Sequence, residues 1–299
     1  MPDLLRLVDG REIRLTNPDK VLWPDLGVTK GDYMHYLMTV APYLLPYTRD
    51  RLLMAWRYPD GAGTERIEEK AVPEYAPAWV PRAFYKDKDW VLLNDAATLA
   101  WVANRAALEL HVPFDRHDRP GYPTEVVFDL DPPDDAHFDL VREVALRVKT
   151  VLDSLALRSV AKTSGATGLQ IYLPIEPAYT FAEARQLTEF VARYMAEVMP
   201  DRITLHRVVS RRGSKLYFDY PQLWKMRTMP APYSARANAW AGVSAPVRWA
   251  ELERGVSPRD FTVATMISRL QAVGDLFHPI TDGAHRQSLR EILAFIRGR

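Results

Sequence analysis

The chain has no cysteine, which removes disulfides, thiolate nucleophiles and Cys-ligated zinc together and fits a reducing compartment. An excess of either charge is missing too: 39 Lys and Arg stand against 38 Asp and Glu in 299 residues, a net charge of +1. Any contact with a polyanion must therefore come from local clustering. No stretch approaches the ~18 apolar residues of a membrane span. Met1-Pro2-Asp3 opens no leader of basic and then apolar residues, so a cytoplasmic protein with no membrane partner is expected. The seven histidines never form His-Glu-x-x-His, which argues against a zinc hydrolase. There is no internal repeat and no low-complexity tract. The length is ample for a core, in one large domain or two ordinary ones.

Against this plain background, Glu125-Val-Val-Phe-Asp129-Leu-Asp131-Pro-Pro133 stands out. A strand turns its side chains over with period two, so Asp129 and Asp131 share one face while Phe128 and Leu130 take the other. Two adjacent acids repel unless a cation sits between them, and oxygen ligands suit Mg²⁺ or Mn²⁺ better than zinc. Pro132 and Pro133 stop the strand and leave Asp131 at its carboxyl end. By itself an Asp-x-Asp at a strand end is also ordinary turn chemistry.

In the N-terminal third, Thr16-Asn-Pro-Asp-Lys20 reads as a helix start, with Asn17 capping and Pro18 at the first position. Thr29-Lys30-Gly-Asp32 begins a second helix. A lysine in a first turn is mildly unfavourable, by ~0.3–1 kcal/mol. Lys20 and Lys30 at two donor-rich N-termini would suit a phosphate, unless both simply point into solvent. Arg57-Tyr-Pro-Asp-Gly61 reads as a turn with basic and aromatic flanks, and Glu69-Lys70 as loop. Asn94 to His111 reads as one helix, capped by Asn94 and closed by His111.

From Thr124 the periodicities alternate: a strand over 124–131, a helix near 138–156, strands near 159–163 and 169–174, a helix near 181–199, and strands near 203–209 and 214–219. This is a β-α-β-β-α-β series with one added strand, the ferredoxin-like arrangement. The fold class is α+β, with an N-terminal α/β lobe over 1–118, a core over 119–255 and a helical segment over 256–299. In such a sheet the first strand lies centrally, so acids on it can meet one on the last strand, Asp219. The hairpin Thr163-Ser-Gly-Ala-Thr-Gly-Leu-Gln170 offers Ser164 and two glycines, Gly165 and Gly168, in the manner of an anion-binding nest. A hairpin that needs glycine only for its shape is the ordinary alternative. Arg207, Arg211, Arg212, Lys215, Lys225, Arg227 and Arg236 crowd around Asp219 in sequence, either as a solvated basic face or as a channel for a polyanion. Three acids, a phosphate loop and cations are what nucleotidyl transfer requires.

These segments resemble the polymerase domain of bacterial DNA ligase D, within the archaeo-eukaryotic primase superfamily. The matching pieces are Val127-Phe-Asp-Leu-Asp-Pro132, Thr163 to Gln170, and Leu216-Tyr-Phe-Asp-Tyr220. They are joined by Thr16 to Leu22, Ala97 to Asn104, Leu108-Glu-Leu-His111, Ala231 to Arg236, and Val273 to Phe277. The resemblance spans nearly the whole chain and implies a single polymerase domain over 1–299 with an archaeo-eukaryotic primase-like catalytic core. It implies that Asp129, Asp131 and Asp219 hold two catalytic ions, Mn²⁺ or Mg²⁺, with nucleoside triphosphates as substrates. It also implies that His111, Ser164, Gly165, Gly168, Gln170, Gln222 and Arg236 surround the incoming nucleotide. Asn17, Lys20 and Lys30 match a pocket for the 5′-phosphate of a downstream DNA strand.

Two departures stand out. Ile67-Glu68 occupies the place of a Phe-Phe pair that stacks on template bases in many relatives, and Thr167 stands where relatives often carry lysine. The expected function is templated filling of gaps and extension of DNA ends in non-homologous end joining, with a preference for ribonucleotides. The expected partners are double-stranded ends and gaps, the Ku end-binding protein and a separate ligase, in the nucleoid. A primase that starts chains without a primer, and a DNA-end-binding module with incidental catalysis, are the alternatives. The chain leaves no room for a ligase or nuclease domain, so a stand-alone polymerase or a piece of a longer protein is expected.

Overall fold

The computed structural model describes residues 4–298; Met1, Pro2, Asp3 and Arg299 lie outside the described residues. A hairpin of β1 (Leu4–Val8) and β2 (Arg11–Leu15) is followed by the short pair β3 (Val21–Trp23) and β4 (Val28–Thr29). Helix α1 (Lys30–Thr48) starts where expected. The Asp32 amide donates to Thr29 Oγ1 at 3.2 Å and the Thr29 amide donates to the Asp32 carboxylate at 2.9 Å, a reciprocal cap that satisfies two amides at once.

The helix expected at Asn17 does not form. Asn17–Lys20 is a turn, closed by the Lys20 amide donating to the Asn17 carbonyl at 3.0 Å, with Asn17 at φ 49°. Asn followed by Pro suits the first two positions of a turn as well as it suits a cap, and here the chain runs straight on into β3. The turn then sits on the start of α1: the amides of Lys30 and Gly31 donate to the carbonyls of Lys20 and Pro18, both at 2.8 Å.

Next come β5 (Met54–Arg57), β6 (Ile67–Glu69), β7 (Arg82–Tyr85), β8 (Lys88–Val91), α2 (Ala96–Asn104) and β9 (Ala107–Pro113). The turn before Gly61 forms, closed by the Gly61 amide on Tyr58, whereas Glu69 ends a strand instead of lying in a loop. The single helix expected from Asn94 to His111 is two elements. Asp95, not Asn94, caps α2 by accepting from the Thr98 amide at 2.7 Å. Ala106 adopts φ 56° and breaks the helix, and the seven residues after it form a strand buried throughout.

The core follows the expected series: β10 (Glu125–Asp131), α3 (Phe138–Ser154), β11 (Val160–Thr163), β12 (Leu169–Pro174), α4 (Phe181–Val198), β13 (Ile203–Thr204) and β14 (Leu216–Phe218). The strand expected over 203–209 is only two residues long, because the exposed, basic stretch after it turns over at Val209–Arg211. Two later strands complete the sheets. β15 (Thr228–Pro230) joins β9, giving the order β15-β9-β5-β6. β16 (Pro246–Val247) joins β11, giving β13-β14-β10-β12-β11-β16. Within the second sheet, β14-β10-β12-β11 is the ferredoxin-like order, with β10 central as expected.

Helices α3 and α4 pack on this sheet through Val141, Val144, Val148, Leu187 and Val191, while Phe128 meets Phe218 edge to face at 6.1 Å. The chain closes with α5 (Trp249–Glu253), α6 (Met266–Val273), α7 (His278–Thr281) and α8 (Arg290–Arg297), the last docked on α4 through Phe190 and Phe295. Among the described residues no helix is long and apolar enough to cross a membrane.

Candidate active site

Strand register builds the site. Leu130 lies opposite Phe218 in the β10–β14 ladder, so Asp129 comes beside Asp219, whose amide donates to the Asp129 carbonyl at 2.9 Å. Asp131 follows two residues later on the same face, at the carboxyl end of β10. One carboxylate oxygen from each of Asp129, Asp131 and Asp219 lies within 4.8 Å of the other two. On the other side of β10, Asp129 lies opposite Gln170, and Gln170 opposite Lys162. The row Lys162, Gln170, Asp129, Asp219 therefore crosses four strand positions on one face of the sheet.

Burial and then the Asp131 charge push the Asp129 carboxyl well above its ordinary range, against a hydrogen bond from Gln170 Nε2 at 2.9 Å. Burial and the Asp219 charge push Asp131 up to about 6. Burial raises Asp219 as well, opposed by the Tyr217 hydroxyl that donates to it at 3.1 Å and by the charges of Arg227, Arg207 and Arg212. Three acids so crowded must hold either protons or a cation. An all-oxygen donor set, open at a strand end, fits a hard divalent cation.

The Thr163–Leu169 connection folds over Ser164. Its Ala166 and Gly168 amides donate to Ser164 Oγ at 3.1 and 3.0 Å, so these two amides close on the hydroxyl instead of opening outward as in a free nest. With two donors on its oxygen, the Ser164 hydroxyl keeps its own proton to donate. Gly168 is required for space: a Cβ there would meet the Leu130 carbonyl oxygen at 2.6 Å. Gly165 sits at φ 75°, and a Cβ would press on Arg236 and Ser244.

The facing wall comes from the other sheet. A cavity of about 270 Å³ is lined by Asp129, Asp131, Ser164, Thr167, Gly168 and Gln170 on one side and by Trp56, His111, Thr228 to Pro230 and Arg236 on the other. His111 thus reaches the site from the middle of a strand. Its Nε2 lies 3.0 Å from Glu109 Oε2. Burial pulls the imidazole down to about 4 even though Glu109 opposes this, so it is neutral at pH 7. Burial would raise Glu109, but the His111 hydrogen bond and the Arg236 charge outweigh it and hold it at about 2. Arg236 places Nε 2.8 Å from Glu109 and donates from Nη1 to the Ser164 carbonyl at 2.9 Å. One guanidinium therefore joins the wall to the loop.

Gln222 does not line this cavity: its side chain donates to the Thr228 carbonyl at 3.0 Å. Asn17, Lys20 and Lys30 come together around the Asn17–Lys20 turn, but with unequal exposure. Lys20 is exposed and lies 3.4 Å from Asp60. Lys30 is buried, and its Nζ donates to the carbonyls of Thr16 and Asn104 at 2.7 and 2.8 Å. Trp56, Glu109, Lys162 and the Thr228 to Pro230 strand were not singled out from sequence. For Trp56 the signal is its place just before the basic, aromatic turn; for Lys162 it is a lone cation within a short strand.

Acids on the central strand and just after the last one, facing a serine loop, define a nucleotidyltransferase of the archaeo-eukaryotic primase type. Residues 29–277 match the LigD primase-polymerase domain, and the chain belongs to that family. It is 35% identical over 283 residues to the bifunctional non-homologous end joining protein LigD of Bacillus subtilis strain 168, covering 94% of this chain and 46% of that protein. It is 34% identical over 275 residues to the multifunctional non-homologous end joining protein LigD of Mycolicibacterium smegmatis, covering 90% of this chain and 36% of that one. The solved polymerase domain of Mycobacterium tuberculosis ligase D in complex with DNA superposes with a TM-score of 0.85 at 32% identity, covering 90% of this chain and 98% of that one. The chain spans less than half the length of these two curated relatives.

Proposed function

We propose that the protein is a template-dependent polymerase that fills gaps and extends DNA ends in non-homologous end joining, with ribonucleotides preferred. Asp129, Asp131 and Asp219 would hold two divalent ions, Mn²⁺ or Mg²⁺. The observation that carries this reading is the cluster of three carboxylates within 4.8 Å of one another, two of which, Asp129 and Asp131, line a cavity with Ser164, His111 and Arg236. The printed names of the relatives in end joining, and of the tuberculosis domain with DNA, support the choice of pathway and polymer.

In the reaction the 3′-oxygen of the primer forms a bond to the α-phosphorus of a nucleoside triphosphate, the bond to pyrophosphate breaks, and the hydroxyl proton leaves to solvent. Bound divalent cations supply acidification of the 3′-hydroxyl and neutralisation of the charge developing on the leaving group. The chain's own residues supply the rest. Ser164 directs its hydroxyl proton to a phosphate oxygen. Arg236, held between Glu109 and the loop, adds fixed positive charge beside it. Neutral His111, anchored through Glu109, offers a ring edge to the sugar or phosphate. Lys20, aided by the Asn17 turn, would meet the 5′-phosphate across a gap.

Ku, a separate ligase and a nucleoid location belong to the same reading. Its test is extension of a primer in a gapped duplex with Mn²⁺, with and without a downstream 5′-phosphate, using ribo- and deoxyribonucleotides. Templated addition that favours ribonucleotides and improves with the phosphate is the expected result. Tight phosphate-dependent binding without any addition by the wild type would replace the polymerase with an end-binding module.

A further inference from the structure

Lys162 is fully buried on β11, yet among the described residues no carboxylate forms an ion pair with it. Its Nζ donates to Gln170 Oε1 at 2.8 Å and to Ser244 Oγ at 2.6 Å. An amine without an ion-pair partner is costly to bury, and its two contacts here are neutral side chains. A leucine would serve the sheet better, so the amine has another task.

Its position in the row across the sheet identifies that task. Gln170 lies opposite Lys162 in one ladder and opposite Asp129 in the next. An amine, charged or neutral, has a proton for each of its two contacts. It therefore faces the carbonyl end of the Gln170 amide and turns the NH₂ end toward Asp129, where Nε2 donates to Oδ1 at 2.9 Å. Without Lys162 nothing on that side distinguishes the two ends of the amide. A flipped Gln170 would point its oxygen at the Asp129 carboxylate and repel it.

We propose that Lys162 is a positioning residue for the acid cluster: through Gln170 it fixes Asp129 as a hydrogen-bonded carboxylate whose remaining lone pairs face the divalent cation. The Gln170 amide is then engaged with Asp129 and is not free for the nucleotide. The proposal takes its cation from the polymerase reading, but it is read without nucleotide or DNA.

The experiment is Mn²⁺ binding followed by electron paramagnetic resonance on the full chain, for Lys162→Met, Gln170→Met and the double variant, with folding checked by circular dichroism. Partners that orient a metal ligand typically matter 10- to 100-fold in metal affinity, so Lys162→Met should weaken Mn²⁺ binding about 10-fold. In the Gln170→Met background the same substitution should add nothing, because its route to Asp129 is gone. The Mn²⁺ needed for half-maximal extension should rise in parallel, with the nucleotide KM unchanged at saturating Mn²⁺. Unchanged Mn²⁺ affinity in Lys162→Met, or an equal loss in both backgrounds, would overturn the proposal. Should Lys162→Met not fold, Gln170→Met alone decides it: a tenfold loss of Mn²⁺ affinity supports the relay and wild-type affinity removes it. A wild type that binds Mn²⁺ but adds no nucleotide would dismiss the polymerase reading while the binding comparison still decides the relay.

Discussion

The imidazole of His111 lies 4.0 Å from the indole of Trp56, ring centre to ring centre, with the two planes 24° apart. Arg66 stacks on the same indole at 3.9 Å, and both rings border the cavity over the acid cluster. Trp56 thus holds His111 on the side that Glu109 does not. Aromatic contacts of this kind contribute about 0.5–1.5 kcal/mol. Trp56→Ala should raise the nucleotide KM roughly three- to tenfold with kcat little changed, measured by steady-state addition in a gapped duplex. An unchanged KM would separate Trp56 from the nucleotide.

Stability should depend on pH through the acid cluster. Asp129 and Asp131 have folded pKa values raised first by burial and then by a neighbouring charge, that of Asp131 on Asp129 and that of Asp219 on Asp131, which reaches about 6. The unfolded chain releases these protons near pH 4, whereas the folded chain keeps them longer. The corresponding stability is present below pH 4 and is lost as pH rises through 6. Metal-free protein should therefore melt lower at pH 8 than at pH 5, relative to Asp129→Asn measured in parallel. Mn²⁺, which replaces the protons, should raise the melting temperature more at pH 8 than at pH 5.5. Thermal melts at the two pH values, with and without Mn²⁺, check both signs.

The two parts of the chain meet at a buried ion pair. Arg51 donates to both oxygens of Glu125, at 2.9 and 3.1 Å, and to the Pro113 carbonyl at 2.8 Å; Tyr47 donates to the same carboxylate at 2.8 Å. Arg51→Met would leave Glu125 charged and buried at the start of β10, at a cost of ~3–5 kcal/mol. The double variant Arg51→Met with Glu125→Leu should recover most of that loss. Urea midpoints at constant m measure both.

Much of the core was legible because its strands are short, apolar and bounded by proline or glycine, and its helices carry one clean apolar face. The β10 acids and the Ser164 loop followed from those bounds. The N-terminal lobe was less legible. A strand buried on both faces, such as β9, reads like the apolar side of a helix, and only the backbone of Ala106 separates the two. Asn17-Pro18 serves turns and caps alike, so its residue types do not separate the turn from a helix start. Trp56 and Lys162 became functional candidates only through partners far away in sequence, the one through His111 and the other through Gln170.

Lys20 and Lys30, paired by sequence, should now behave differently. Lys20→Ala should leave stability unchanged and reduce the preference for a downstream 5′-phosphate several-fold in end binding. Lys30→Ala removes the donor to the Thr16 and Asn104 carbonyls and should cost ~1–3 kcal/mol of stability. Loss of phosphate preference in Lys30→Ala with full stability would show that its ammonium is available to the ligand after all.

Addition of a single templated nucleotide to a gapped duplex with Mn²⁺, comparing the wild type with Asp219→Asn, tests most directly whether the three acids transfer nucleotides together. Asp219→Asn should fold and bind the duplex as the wild type does, yet add the nucleotide at least ~10³-fold more slowly, a loss of about 4 kcal/mol in transition-state stabilisation. A variant that kept near-wild-type rates, or a wild type that added nothing under these conditions, would contradict the assignment of Asp129, Asp131 and Asp219 as one catalytic cluster.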